Sequence, residues 1–140
     1  MKAITIWQPW ATLLVDGPKK YETRSWATGY RGPIAIHAAK RLPRLIKKIV
    51  PALVVEYMQR YLARPLEDLP TGCIMGTAEL VACHLIDDKF LSELAEGEER
   101  LGDFTLGRYA WEFRNMQALE DPVPVQGKQG LWNWERGGSM

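Results

Sequence analysis

Positions 17–26 read Gly-Pro-Lys-Lys-Tyr-Glu-Thr-Arg-Ser-Trp, with Gln8-Pro9-Trp10 shortly before. Bases, one acid and aromatic rings are packed too closely here for all of them to be core. If residues 21–26 are extended, Glu22, Arg24 and Trp26 share one face of a strand, and Tyr21, Thr23 and Ser25 share the other. The first face has the chemistry of a nucleotide site. Arg24 offers a planar fork to a phosphate or a base edge, and Lys19 and Lys20 add point charges whose pull weakens as salt rises. Glu22 can accept hydrogen bonds from an exocyclic amine or orient Arg24. Trp10 and Trp26 supply ring faces on which an unpaired base could stack, worth about 1–3 kcal/mol per base in such sites. Each residue also has a plainer role open to it. Trp10 can anchor the core through its large apolar area, Glu22 and Arg24 can be a structural ion pair, and Gln8 can cap the helix that follows it.

The elements that must carry this face can be read from local pattern. Residues 2–7 alternate Ala3 and Thr5 with Ile4 and Ile6, as a first strand does. Pro9 fits the first turn of a short helix that buries Trp10, Leu13 and Leu14 and stops at Gly17, with Pro18 preventing its continuation. After a turn at 29–32, residues 33–39 form a strand with Ile34, Ile36 and Ala38 on one face and Ala35, His37 and Ala39 on the other. His37 among small residues reads as a hydrogen-bonded interior group or as part of the site. Residues 43–63 turn helical, with Leu45, Ile49 and Leu53 at four-residue spacing and Pro51 splitting the segment into two short helices. Residues 73–86 are apolar on both faces and long enough for a central strand, with Gly76 marking a bulge or a close approach. Glu79 within it is costly to bury unpaired, which makes Arg24 or Lys19 its expected partner. Residues 87–102 read as part helix and part loop, and 108–119 and 130–135 as two more strands, in which Trp111 and Trp132 pack. Strands surrounding a split helical insert, without regular strand–helix alternation, predict an α+β fold with a small mixed or antiparallel β-barrel and a cleft.

A chain of 140 residues, 46% apolar and with six Trp, suits one domain over residues 1–136, followed by a polar tail at 137–140. No apolar run reaches the roughly 18 residues a membrane span needs, and the first residues enter strand-like sequence rather than a signal peptide, so a cytoplasmic protein without membrane contact is expected. Cys73 and Cys83 fall on one strand, too far apart at about 3.3 Å per residue to bridge, and are expected to be reduced. Two His and two Cys without ligand spacing predict no metal site, no Gly-x-Ser-x-Gly elbow is present, and no cofactor is expected. The net charge is only +1, yet nine of the 18 Lys and Arg lie between 19 and 48 beside a single acid, Glu22. Asp87, Asp88, Glu93, Glu96, Glu98, Glu99 and Asp103 form the counterweight. Such segregation suits either a face that meets phosphate or two solvated surfaces.

Taken in order, Ile4-Thr5-Ile6-Trp7-Gln8-Pro9-Trp10-Ala11, Gly17-x-Lys19-x-x-Glu22-x-Arg24-Ser25-Trp26, and residues 30–40, Tyr-Arg-Gly-Pro-Ile-Ala-Ile-His-Ala-Ala-Lys, resemble the ASCH domain, the activating signal cointegrator-1 homology module. Residues 70–76 and the closing Lys128-Gln129-Gly130-Leu131-Trp132 extend the resemblance over most of the chain, nearest to the branch that carries Gln-Pro-Trp. The resemblance implies a PUA-like fold, a β-barrel flanked by short helices, whose relatives bind RNA or DNA in a cleft beside the barrel. It places Lys19, Glu22 and Arg24 at that cleft, with Gln8 and Trp10 adjoining.

The expected function is therefore binding of RNA or single-stranded DNA, or of a nucleotide-like ligand, in a basic cleft. Its expected residues are Gln8, Trp10, Lys19, Lys20, Glu22, Arg24, Ser25, Trp26, His37 and Lys40. An alternative is catalysis, with Lys19 and Glu22 as candidates. A branch of the family acts as amidohydrolases on N4-acylated cytidines, with a Lys and a Thr three residues later at this place and a Glu downstream. Here Glu22 stands three residues after Lys19. Thr23 keeps that interval only from Lys20, a slip that turns a strand side chain to the opposite face. Glu96, Glu98 and Glu99 all fall in the region of the downstream Glu. A second alternative is a protein-interaction module that uses the basic residues 40–48.

Overall fold

The computed structural model describes residues 1–41, 48 and 50–136. Six strands, β1 (Lys2–Ile6), β2 (Tyr21–Arg24), β3 (Gly32–Ala38), β4 (Cys73–Leu85), β5 (Tyr109–Pro124) and β6 (Leu131–Asn133), form one mixed sheet in the order β2-β5-β4-β3-β1-β6. Only β1 and β3 run parallel, pairing Ile4 with Ile36 and Thr5 with His37. The sheet curls into a half-barrel whose hydrogen-bonded edges are β2 and β6. Although β2 and β1 lie four places apart in that order, Arg24 Nη2 at the end of β2 donates to Thr5 O in β1 at 2.7 Å. The α+β, PUA-like architecture is as expected, with the barrel left open along one side.

Helix α1 (Trp10–Asp16) is too short to stand alone in water and is held by its buried residues 11–15. Gly17, at φ 116°, ends it in the left-handed conformation that glycine adopts without strain. At the other end Pro9 has no side-chain oxygen with which to cap. Gln8 does that work from one residue further out, its Oε1 accepting from Thr12 N at 3.0 Å and from the Thr12 hydroxyl at 2.9 Å. Helix α2 (Ala52–Leu62) begins just after Pro51. Most of the helix expected before Pro51 lies outside the described residues. Two short helices, α3 (Asp88–Glu93) and α4 (Glu96–Glu99), occupy the acidic stretch.

The strand alternation holds. Ile4, Ile6, Ile34, Ile36 and Ala38 pack with Ala11, Leu14 and Val15 in the main core, whereas Ala3, Ala35, Ile74, Trp132 and Trp134 fill the opposite face. Each fully buried aliphatic side chain is worth about 1.5–3 kcal/mol, so these two layers outweigh the weak intrinsic preference of such short strands. A smaller cluster of Leu13, Val55, Met58, Leu66, Leu69 and Leu101 ties α1 to α2 and to the loop after α4. At Gly76 the ladder between β4 and β5 shifts register, and a Cβ there would meet Gln117 O at 2.7 Å and Val15 at 3.2 Å. The glycine marks both a bulge and a close approach.

Three expectations are corrected. Strand β5 extends five residues beyond position 119, because the long β4 continues to pair with it as far as Cys73 opposite Pro124. Strand β2 ends at Arg24, so Trp26 is not on it. Glu79 is half-exposed opposite Arg114 rather than buried against a cation from the 19–24 segment. Lys19 and Arg24 have other partners. No described helix is long and apolar enough to cross a membrane.

Candidate functional site

Because Lys19 N reaches back to Leu13 O behind the Gly17 cap, the chain turns sharply out of α1 and enters β2 with Lys19 pointing inward. Its side chain is only 1% exposed. Glu22 and Arg24 follow on one face of β2, and all three line a cavity of about 430 Å3. Thr5, Ile6 and Trp7 at the end of β1, Trp10 on α1, and Gly102, Asp103 and Arg108 from the loop between α4 and β5 complete its walls.

Burial lowers the pKa of the Lys19 ammonium, and the negative charges of Glu22 and Glu98 act against that fall. Its nearest carboxylate is Glu98 Oε2 at 3.5 Å, and Phe104 lies 5.4 Å away, centroid to Nζ. Nζ makes no hydrogen bond among the described residues, nor does the buried Nε of Arg24. The Lys19 ammonium is thus held only by one long ion pair, and the Arg24 Nε–H is unpaired among the described residues, in the wall of one cavity, a costly arrangement for groups whose function is purely structural. Gly102 allows it: a Cβ at that position would fall 2.9 Å from Lys19 Nζ and 2.9 Å from the Phe104 ring.

The remaining charges are held in place. Arg24 Nη2 lies 3.0 Å from Glu22 Oε2 and 2.7 Å from Thr5 O. Arg108 is fixed by Thr23 O at 3.2 Å, Asp103 O at 3.2 Å and Asp103 Oδ2 at 3.4 Å. The Thr105 hydroxyl donates to Asp103 and keeps its pKa below the usual carboxylate range, so it stays ionised beside Arg108. The cavity therefore carries three cations and two carboxylates, which makes it mixed in sign rather than the basic cleft expected. Trp7, 43% exposed, offers an open ring at its rim, with the Arg41 guanidinium 4.0 Å from the ring centroid.

Of the ten residues expected at the site, Trp10, Lys19, Glu22 and Arg24 converge here. Trp10 also packs against two core clusters, so it is wall and anchor together. Gln8 is buried behind the cavity and does not line it, with Nε2 donating to Pro70 O at 2.8 Å and Oε1 held by Thr12. Lys20 turns outward, and its backbone N–H donates to Glu98 Oε1 at 2.8 Å. Ser25 is exposed outside the cavity, while Trp26 sets its ring edge-on to Trp111 at 4.8 Å and does not line it. His37 and Lys40 border a second cavity. Most of the basic segment 40–48 lies outside the described residues. The residues that sequence reasoning missed are Trp7, Gly102, Asp103 and Arg108, and it did not single out Glu98 from its neighbours. One signal was available: Leu101 and Phe104, both buried, are apolar breaks in the acidic run and turn it inward.

Architecture and site together are those of a PUA-like α+β half-barrel with a cavity beside its curled edge. A family model for the ASCH domain matches residues 4–123, and the chain belongs to that family. It is 29% identical over 135 residues to activating signal cointegrator 1 of Homo sapiens, a match covering 92% of this chain and 21% of that protein. The corresponding protein of Mus musculus gives the same figures. The chain thus spans about a fifth of the length of these curated relatives. Among solved structures, an ASCH protein from Zymomonas mobilis superposes with a TM-score of 0.57 at 18% identity, over 98% of this chain and 88% of that one. A single-substitution variant of it gives 0.56, also at 18% identity, over 96% and 87%. At such identity the likeness is one of fold.

Proposed function

We propose that the cavity lined by Lys19, Glu22 and Arg24 binds one unpaired base, with its phosphate, of RNA or single-stranded DNA. The observation that carries this reading is the pair of buried, incompletely satisfied donors, Lys19 Nζ with one carboxylate at 3.5 Å and Arg24 Nε with no described partner, in the wall of a cavity whose volume is that of a small-ligand site. The mixed signs support a base edge, which presents donors and acceptors side by side. Glu22 accepts from an exocyclic amine while Lys19 and Arg24 donate to ring or carbonyl acceptors. Arg108 meets the phosphate, and Trp7 gives the base a stacking surface. Affinity for a labelled single-stranded RNA, measured over a range of salt, tests this. Binding should weaken log-linearly with salt, and Arg24→Gln or Arg108→Gln should each cost about tenfold. Absent binding, or binding indifferent to both substitutions, would overturn it.

A second reading, hydrolysis of an N4-acylated cytidine, is favoured by one observation: the downstream glutamate that meets Lys19 is Glu98, at 3.5 Å, and burial shifts the amine toward its neutral form. Against it, both Glu98 oxygens face backbone amides, Lys20 N at 2.8 Å and Tyr21 N at 3.5 Å. Glu22 fills the position of the hydroxyl nucleophile. Incubation with N4-acetylcytidine, followed by ultraviolet absorbance, separates the two readings. Turnover abolished by Lys19→Met would establish hydrolysis, and no turnover at high protein concentration removes it.

A further inference from the structure

Thr5 is the partition between two cavities. Its carbonyl accepts from Arg24 on the side of the first, and its side chain borders a second of about 930 Å3. The second cavity is built differently. Its walls hold Lys40 and Lys128, the hydroxyl of Thr71 and the amides of Gln126 and Gln129, with no carboxylate among the described residues that line it. Both lysine side chains belong to exposed residues and have no described carboxylate partner within ion-pair distance. Cationic and amide donors without an opposing acid match a phosphodiester backbone rather than a base edge.

The wall between the cavities is rigid. His37 Nε2 must donate to Val125 O at 2.7 Å, since a carbonyl can only accept, so in the neutral ring Nδ1 is an acceptor and shares the one proton of the Thr5 hydroxyl, 3.2 Å away, with Lys128 O, also at 3.2 Å. Trp132 Nε1 donates to the same hydroxyl oxygen at 3.1 Å. Gly127 lets the loop close down, because a Cβ there would lie 2.6 Å from the imidazole. His37 is thus a positioning residue that fixes Thr5, and Lys128 is held beside it.

The geometry points to a strand-binding subsite. The second cavity takes the phosphodiester of nucleotides adjoining the base in the first, so the ligand is a single-stranded oligonucleotide rather than a free nucleotide. This rests on the base-binding reading of the first cavity.

Calorimetric titration of the full chain with nucleoside 5′-monophosphates and with a short single-stranded oligoribonucleotide tests it, for the wild type, Arg24→Gln and the double variant Lys40→Ala/Lys128→Ala. The oligonucleotide should bind at least tenfold more tightly than any monophosphate. The double variant should lose about tenfold in oligonucleotide affinity and about 1.4 in the slope of log affinity against log salt, two charges at roughly 0.7 each. Its monophosphate affinity should be unchanged, whereas Arg24→Gln should weaken both ligands. If monophosphate binds through Arg24 but the oligonucleotide gains nothing, or is untouched by the double variant, the subsite is refuted and the first cavity's role stands. If neither ligand binds the wild type, both proposals fall.

Discussion

Lys19 and His37 are both polar side chains almost wholly removed from solvent, at 3% and 2% exposure, yet the fold treats them differently. Around His37 every polar atom is used: both ring nitrogens have partners, and Thr5, Val125 and Trp132 close the network. Around Lys19 the ammonium has a carboxylate at 3.5 Å, an aromatic ring and an open cavity, but no hydrogen bond among the described residues. A satisfied buried group holds a structure together. An unsatisfied one beside a cavity is poised for something that arrives later, at some expense in stability. Two neighbouring motifs thus supply a clamp and a receptor.

The comparison can be broken at several points. The largest effect is expected at Glu98, which receives two backbone amides at the entry to β2 and is the nearest charge to Lys19. Glu98→Ala leaves that buried ammonium with only the more distant Glu22 as counter-charge and should cost about 3 kcal/mol by denaturant unfolding. A loss under 1 kcal/mol would show the pair to be incidental. Next come the two glycines that face the two polar residues. Gly127→Ala drives a Cβ to 2.6 Å from the locked imidazole and should destabilise by about 1–3 kcal/mol, whereas Gly102→Ala meets the end of the Lys19 side chain and the Phe104 ring less closely, at 2.9 Å, and should cost less in stability but reduce nucleotide affinity. Equal stability losses would erase the distinction between clamp and receptor.

Smaller effects sharpen it. Trp7→Ala should lower affinity about tenfold with unchanged melting temperature, and Trp26→Ala should leave binding intact, because Trp7 borders the cavity and Trp26 does not. Burial holds the His37 pKa below its ordinary 6.5 in the folded state, so the unfolded chain takes up the proton first as pH falls. Stability from this group is complete above about pH 6.5 and is lost progressively below it. Melting curves between pH 8 and 5 should show that loss, and His37→Gln should flatten it.

Much of the scaffold is legible in the sequence. The Gly17-Pro18 stop after α1, the two-faced alternation of β1 and β3, the helix start just after Pro51 and the bulge at Gly76 are local signals, and each appears where the residues put it. The site was legible only on its near side. Lys19, Glu22 and Arg24 are neighbours in sequence, but Glu98, Gly102, Asp103 and Arg108 reach them from across the chain, and local periodicity carries no trace of such a contact. Segregation of charge along the sequence suggested a basic cleft. Folding undid that segregation by bringing Glu98 of the acidic stretch to Lys19 and Asp103 into the wall of the same cavity. Trp26 shows the converse, since a strand ending two residues early moved a ring that alternation had assigned to the binding face.

Six tryptophans give the most direct test of the central claim, that the Lys19 cavity receives a base. In a nitrogen–proton correlation spectrum, addition of a nucleoside monophosphate or short single-stranded RNA should shift the indole N–H signals of Trp7 and Trp10, which line that cavity, and leave that of Trp134, packed in the opposite core, unmoved. Saturating ligand that leaves Trp7 and Trp10 unshifted would contradict the account.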